Sequence, residues 1–199
     1  MTSKTNKIIS AVVAIAIIIS IAVLIYVNLP KPTEKTDDNT DDHKSIPPTL
    51  TLIYDDEQKN FTFGEIERLE PYTAKGGYRN SIGVIKGVGN YTGVNITTLV
   101  NTLQPVPYRY TLQVFSEDGK NMSYNYSTII GQVPIYNPEN GSAIGTGNMT
   151  LVLAYQFEGD WLNESSDGKL RIVFLDDQGS ITESKYWMKM VTSIRVITE

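Results

Sequence analysis

The sequence predicts an α+β domain, mostly β, preceded by one transmembrane helix. Three observations predict it. Short runs of alternating apolar and polar residues recur from residue 49 to the end, the pattern of half-buried strands. Only two stretches, 62–69 and 95–103, show helical spacing behind a capping residue. Residues 8–27 form an uncharged run interrupted only by Ser10 and Ser20.

That run is long enough to cross a membrane, because about 20 residues at 1.5 Å rise span a hydrocarbon core of ~30 Å. It exceeds the apolar stretch of a signal peptide. It also ends in Tyr26-Val27-Asn28-Leu29-Pro30, which offers no small-residue cleavage site. The expected layout is a cytoplasmic tail at 1–7, an anchor in the membrane at 8–29, an acidic disordered linker at 30–48 and an extracytoplasmic globular domain at 49–199. The linker run from Lys31 to Asp42 contains no aliphatic residue and cannot collapse into a core.

Lysines do not settle the orientation, since Lys4 and Lys7 precede the anchor while Lys31, Lys35 and Lys44 follow it. Asparagines do. The acceptor pattern Asn-x-Ser/Thr occurs at Asn60, Asn90, Asn95, Asn121, Asn125, Asn140, Asn148 and Asn163. With 14 Asn and 34 Ser plus Thr in 199 residues, chance gives roughly two to three. All eight follow the linker, so an exported, N-glycosylated domain on the cell membrane is expected. Many acceptor sites without a disulfide suit an archaeal cell surface.

Within the domain, 49–54 alternates as a strand. Thr62 and Glu65 form a capping box for the first helix, 62–69. Glycines then crowd 76–93. The second helix, 95–103, is capped by Asn95 and apolar at Ile96, Leu99, Val100 and Leu103. Residues 108–115 alternate as a strand that turns through Glu117-Asp118-Gly119-Lys120 into a partner at 122–126. Further strands are expected at 149–155, 170–175 and 192–197.

Composition excludes several chemistries. There is no cysteine, hence no disulfide and no thiolate nucleophile or ligand, and the single histidine, His43, lies in the linker. No catalytic residue and no metal ligand is therefore expected in the domain. A net charge of −5 without a basic cluster excludes nucleic acid as a partner. Pairs of carboxylates among Asp118, Glu158, Asp160 and Asp176 could serve a hydrolase, but nothing in the sequence pairs them. The 12 tyrosines suit a recognition surface, and equally a β-rich core.

A series of segments carries a resemblance. It runs through Gly89-Asn90-Tyr91-Thr92-Gly93-Val94, Ser116-Glu117-Asp118-Gly119, Leu153-Ala154-Tyr155, Gly159-Asp160-Trp161-Leu162, Asp167-Gly168-Lys169-Leu170-Arg171 and Lys185-Tyr186-Trp187-Met188-Lys189. In this order the series resembles the molybdopterin-binding domain of the sulfite-oxidase family, especially short archaeal membrane-anchored members. The resemblance implies that fold and, as cofactor, molybdopterin. It places the contacts at Arg171 (the family's phosphate-binding Arg), Lys86, Arg79 and Tyr91, beside the loop Gly76-Gly77-Tyr78-Arg79-Asn80, while the residues alone equally allow Arg171 to pair with a nearby carboxylate. The chain departs from the family where a cysteine should ligate molybdenum, because Gly83-Val84-Ile85-Lys86-Gly87-Val88 holds none. Ser165, Ser166 and Asp167 stand where the family has a His, and Tyr186 stands where it has a Lys.

The expected function is thus a membrane-anchored binding or cell-envelope module that reuses this fold without catalysis, with a protein or glycan partner at the cell surface. The residues themselves ask for no cofactor. The alternative is a molybdopterin-dependent oxidoreductase without a protein thiolate.

Overall fold

A computed structural model describes residues 49–103 and 105–198. The tail, anchor and linker expected at 1–48 lie outside the described residues. Among the described residues, no helix is long and apolar enough to cross a membrane.

The domain is mostly β. Strands β1 (Leu50–Tyr54) and β2 (Glu57–Phe61) form a hairpin, followed by helix α1 (Phe63–Glu67). Two long strands come next, β3 (Pro71–Arg79) and β4 (Ile85–Asn95), then helix α2 (Ile96–Val100). The hairpin β5 (Tyr110–Ser116) and β6 (Asn121–Tyr124) leads to helix α3 (Tyr126–Ile129). Then follow β7 (Gln132–Tyr136), β8 (Ala143–Asn148), β9 (Thr150–Phe157), β10 (Asp160–Trp161), β11 (Arg171–Asp176) and β12 (Thr182–Glu183). A 3-10 turn, Ser184–Tyr186, precedes the last strand, β13 (Val191–Thr198).

The expected α1 is present with its capping box complete, since the Thr62 side chain accepts from the Glu65 N–H and the Glu65 carboxylate from the Thr62 N–H. The helix at α2 is shorter than the pattern at 95–103 predicts, and the chain leaves it in turns after Val100. The hairpin partner at 122–126 ends at Tyr124, because Asn125 caps α3 through its side chain.

The larger correction lies in the glycine-rich segment, which builds the two longest strands. These strands complete a closed ring: β3 pairs with β4, β4 with β9, β9 with β11, and β11 with β3, all antiparallel. Gly93 shows why glycine is needed there. A Cβ at Gly93 would stand 2.2 Å from the Leu153 carbonyl oxygen and 2.5 Å from the Ala154 Cα, so β4 and β9 meet only because the side chain is missing.

The second sheet has the order β2-β1-β13-β5-β6, with β1 parallel to β13 and the other pairs antiparallel. Alternation divides the core between the two. Leu151, Leu153 and Tyr155 of β9 and Ile172 and Phe174 of β11 pack with Leu52, Leu112 and Ile194 of the five-stranded sheet. The intervening Val152, Ala154, Val173 and Leu175 point the other way, into a smaller cluster with Ala74, Tyr91 and Trp187.

Candidate functional site

The smaller cluster ends at a cation. Arg171 opens β11 and shares a face with Val173 and Leu175, so period-two alternation turns its long side chain toward the same interior. It is only 7% exposed. Its Nη1 donates to Asp167 Oδ1 at 2.9 Å, and Lys189 Nζ lies 3.0 Å from the same oxygen. Its guanidinium carbon lies 5.1 Å from the Trp187 ring and 5.5 Å from the Tyr78 ring, within cation–π range. Its Nε is buried without a hydrogen-bond partner among the described residues.

Aromatic packing fixes this shell. Trp187 donates from Nε1 to Thr182 Oγ1 at 2.7 Å, which orients the indole. Its ring centroid is 5.1 Å from that of Tyr78 and 5.4 Å from that of Tyr91, and Tyr91 lies 4.6 Å from Phe157. The Tyr91 hydroxyl donates to the Gly87 carbonyl at 2.9 Å. Burial pushes the Tyr91 phenol up to about 12, against the pull of the Arg171 charge. Burial also opposes the charged form of Asp167. Hydrogen bonds from Ser166 and Lys189 and the charge of Arg171 outweigh it, and the carboxyl sits below its ordinary range.

Two clefts meet at Arg171. One, of about 550 Å³, lies between Tyr78, Trp187 and the β5–β6 turn at Asp118 and Lys120. The other, of about 510 Å³, is lined by Gly87, Tyr91, Phe157, Glu158 and Asp167.

Of the four residues that the resemblance singles out, Arg171 and Tyr91 come together here. Lys86 is exposed and stands directly opposite Tyr78 in the β3–β4 ladder, which puts its side chain on the Tyr78 face. Arg79 is engaged elsewhere: its Nη1 donates to the Gly141 carbonyl at 2.8 Å, and its guanidinium lies over Tyr136 at 4.4 Å. The carboxylate partner that the sequence allows for Arg171 is Asp167, which the sequence did not single out, nor did it point to Lys189 beside it. The four-residue interval from Asp167 to Arg171 is the signal that could have found the first.

The residues present do not fit molybdopterin. The chain has no thiolate. A Cβ on Gly87, within the segment where the ligand would be required, would stand 2.8 Å from the Tyr91 hydroxyl on a backbone at φ +59°. In the second cleft Arg171 and Lys189 are both engaged by Asp167, so neither cation is left free for a cofactor phosphate. Among the described residues, no group of three or more His, Cys, Asp or Glu could hold a metal. Three of the four carboxylates considered for hydrolysis have local roles. Asp118 holds the Lys120 ammonium at 2.5 Å, Glu158 accepts from the Asn90 N–H at 2.6 Å, and Asp176 accepts from the Gln178 and Ser180 N–H groups.

Seven of the eight acceptor asparagines are exposed and Asn95 is half-buried. Asn95 and Asn125 use their side-chain oxygens to cap α2 and α3.

A ring of four strands packs on a mixed five-stranded sheet, and the resulting fold is sulfite-oxidase-like. Among solved structures, the chain is similar to the sulfane dehydrogenase SoxCD from Paracoccus pantotrophus, with a TM-score of 0.55 and 14% identity. The match covers 75% of this chain and 38% of that chain, so the likeness concerns one portion of the larger protein and shows the fold alone. No protein-family model matches the sequence, and no curated protein matches it.

Proposed function

We propose that the chain is a membrane-anchored, extracytoplasmic binding module that carries a sulfite-oxidase-like fold without its redox chemistry. One observation carries the reading: the chain has no cysteine to supply a thiolate, and within the segment 83–88, where the resemblance places the ligand, a Cβ on Gly87 would meet the Tyr91 hydroxyl at 2.8 Å. The long uncharged run and the excess of acceptor asparagines support membrane anchoring and export. The Arg171 cluster supports binding. It offers a fixed guanidinium with an unpaired Nε between two clefts walled by tyrosine and tryptophan, the residue types that dominate recognition surfaces.

A second reading, a molybdopterin-dependent oxidoreductase without a protein thiolate, draws on the likeness to a sulfane dehydrogenase. Arg171 would then hold the cofactor phosphate. The two readings part in one assay of the full-length chain purified from its native membrane, with molybdenum measured by mass spectrometry and released pterin by fluorescence. The binding-module reading expects both at background. Near-stoichiometric molybdenum and pterin would overturn it in favour of the oxidoreductase.

A further inference from the structure

A second aromatic site lies apart from Arg171. Phe63 opens α1, Tyr155 closes the apolar run of β9, and Trp161 sits on the two-residue strand β10. The Phe63 ring meets Tyr155 at 6.0 Å and Trp161 at 5.3 Å, both edge-on at 75°. Tyr155 and Trp161 are 5.9 Å apart. With Leu162 they line a pocket of about 250 Å³, whose rim holds Glu164 and Lys169. Trp161 is 55% exposed, although most of the domain's large side chains are buried.

We propose that this pocket binds a pyranose ring of a glycan, stacked on Trp161 and held at its hydroxyls by Glu164 and Lys169. A pyranose presents C–H groups on its faces and hydroxyls at its edge. The pocket mirrors that division, with an aromatic floor and a polar rim. Glu164 and Lys169 stand 3.9 Å apart, with side chains 71% and 51% exposed, too loosely held to satisfy each other. One offers an acceptor and the other three donors, the complement that a hydroxyl pair needs. Glu164 and Lys169 give the rim both signs of charge, so an ion of either sign would meet a like charge there, and a wholly apolar ligand would leave both charged groups over its surface. The volume is below the roughly 300–1,000 Å³ of drug-sized sites, so a single ring fits. The proposal names a ligand class for the binding-module reading and rests on it, but uses none of the Arg171 residues.

The test is saturation-transfer NMR on the full-length chain, held in a detergent without a sugar headgroup. The probes are methyl β-glucopyranoside, methyl β-galactopyranoside and methyl α-mannopyranoside. At least one is expected to show saturable transfer, strongest at the C–H protons of one ring face. Trp161→Ala is expected to abolish it and Glu164→Gln to weaken binding about tenfold. Both side chains are exposed, and the rim variant decides the matter should Trp161→Ala fail to fold. Absence of transfer from all three sugars overturns the proposal. So does an equal response to cyclohexanol, which identifies a plain apolar pocket, or tighter binding of tetramethylammonium, which identifies a cation site. Stoichiometric molybdenum alongside retained sugar binding would sink only the earlier reading, and background molybdenum with no sugar binding would sink only this one.

Discussion

Asp167 bears one negative charge and faces two cations, Arg171 and Lys189. Its side chain is 18% exposed and that of Arg171 8%, so the pair is shielded from water and each partner depends on the other. Asp167→Asn would leave a buried guanidinium without its counter-charge. The expected loss is about 3 kcal/mol of stability, read from urea unfolding at neutral pH. The pH dependence has a definite sign. The folded-state pKa of Asp167 is depressed, so its contribution is fully present above the unfolded value of about 4 and is lost as pH falls through the folded value. Acid titration of stability should therefore be shallower in the variant than in the parent. A parent and variant with parallel acid profiles would show that the pair does not act this way.

At the scale of elements, the ring of strands depends on what glycine lacks. Gly93→Ala would drive a methyl group into the backbone of β9, where the neighbouring atoms are a carbonyl oxygen and a Cα that cannot step aside. Loss of the cooperative thermal transition is expected for this substitution, whereas alanine at Gly64, which meets nothing within 4 Å, should leave the transition in place. The same glycines explain what could be read in advance. Helix α1 was legible because Thr62 and Glu65 signal a capping box directly. Strands β1, β5, β9, β11 and β13 were legible from alternation or from short apolar runs. Strands β3 and β4 were not, because Gly76, Gly77, Gly87, Gly89 and Gly93 carry the chemistry of loops and weaken the period-two signal. The site was half legible for a related reason. Arg171 and Tyr91 line one cleft, but Arg79 sits opposite Ile85 at the far end of the β3–β4 ladder, and that register could not be known without the hairpin.

At the scale of the whole molecule, the order of strands joins the two ends of the domain. Strand β1 pairs in parallel with β13, bringing Thr51 opposite Ser193, and β13 in turn holds β5. The five-stranded sheet can be completed only once nearly the whole domain is present, a topology of high contact order and slow assembly. The ring of β3, β4, β9 and β11 closes on itself. The five-stranded sheet does not, and it ends in β2 on one side and β6 on the other. An open edge exposes unpaired N–H and C=O groups that invite a strand from another chain. Asn60 lies on β2 and Asn121 on β6, so each open edge bears an acceptor asparagine, and both are exposed. A sugar at either position would stand where an incoming strand must dock. On the proposed exported and glycosylated reading, material made without glycosylation is expected to associate edge to edge more readily than glycosylated material. Light scattering at matched concentrations would register the difference, and the double variant Asn60→Gln, Asn121→Gln made in the native host should behave like the unglycosylated protein. On the proposed reading, sugars at the two edges would keep neighbouring copies apart on a crowded membrane.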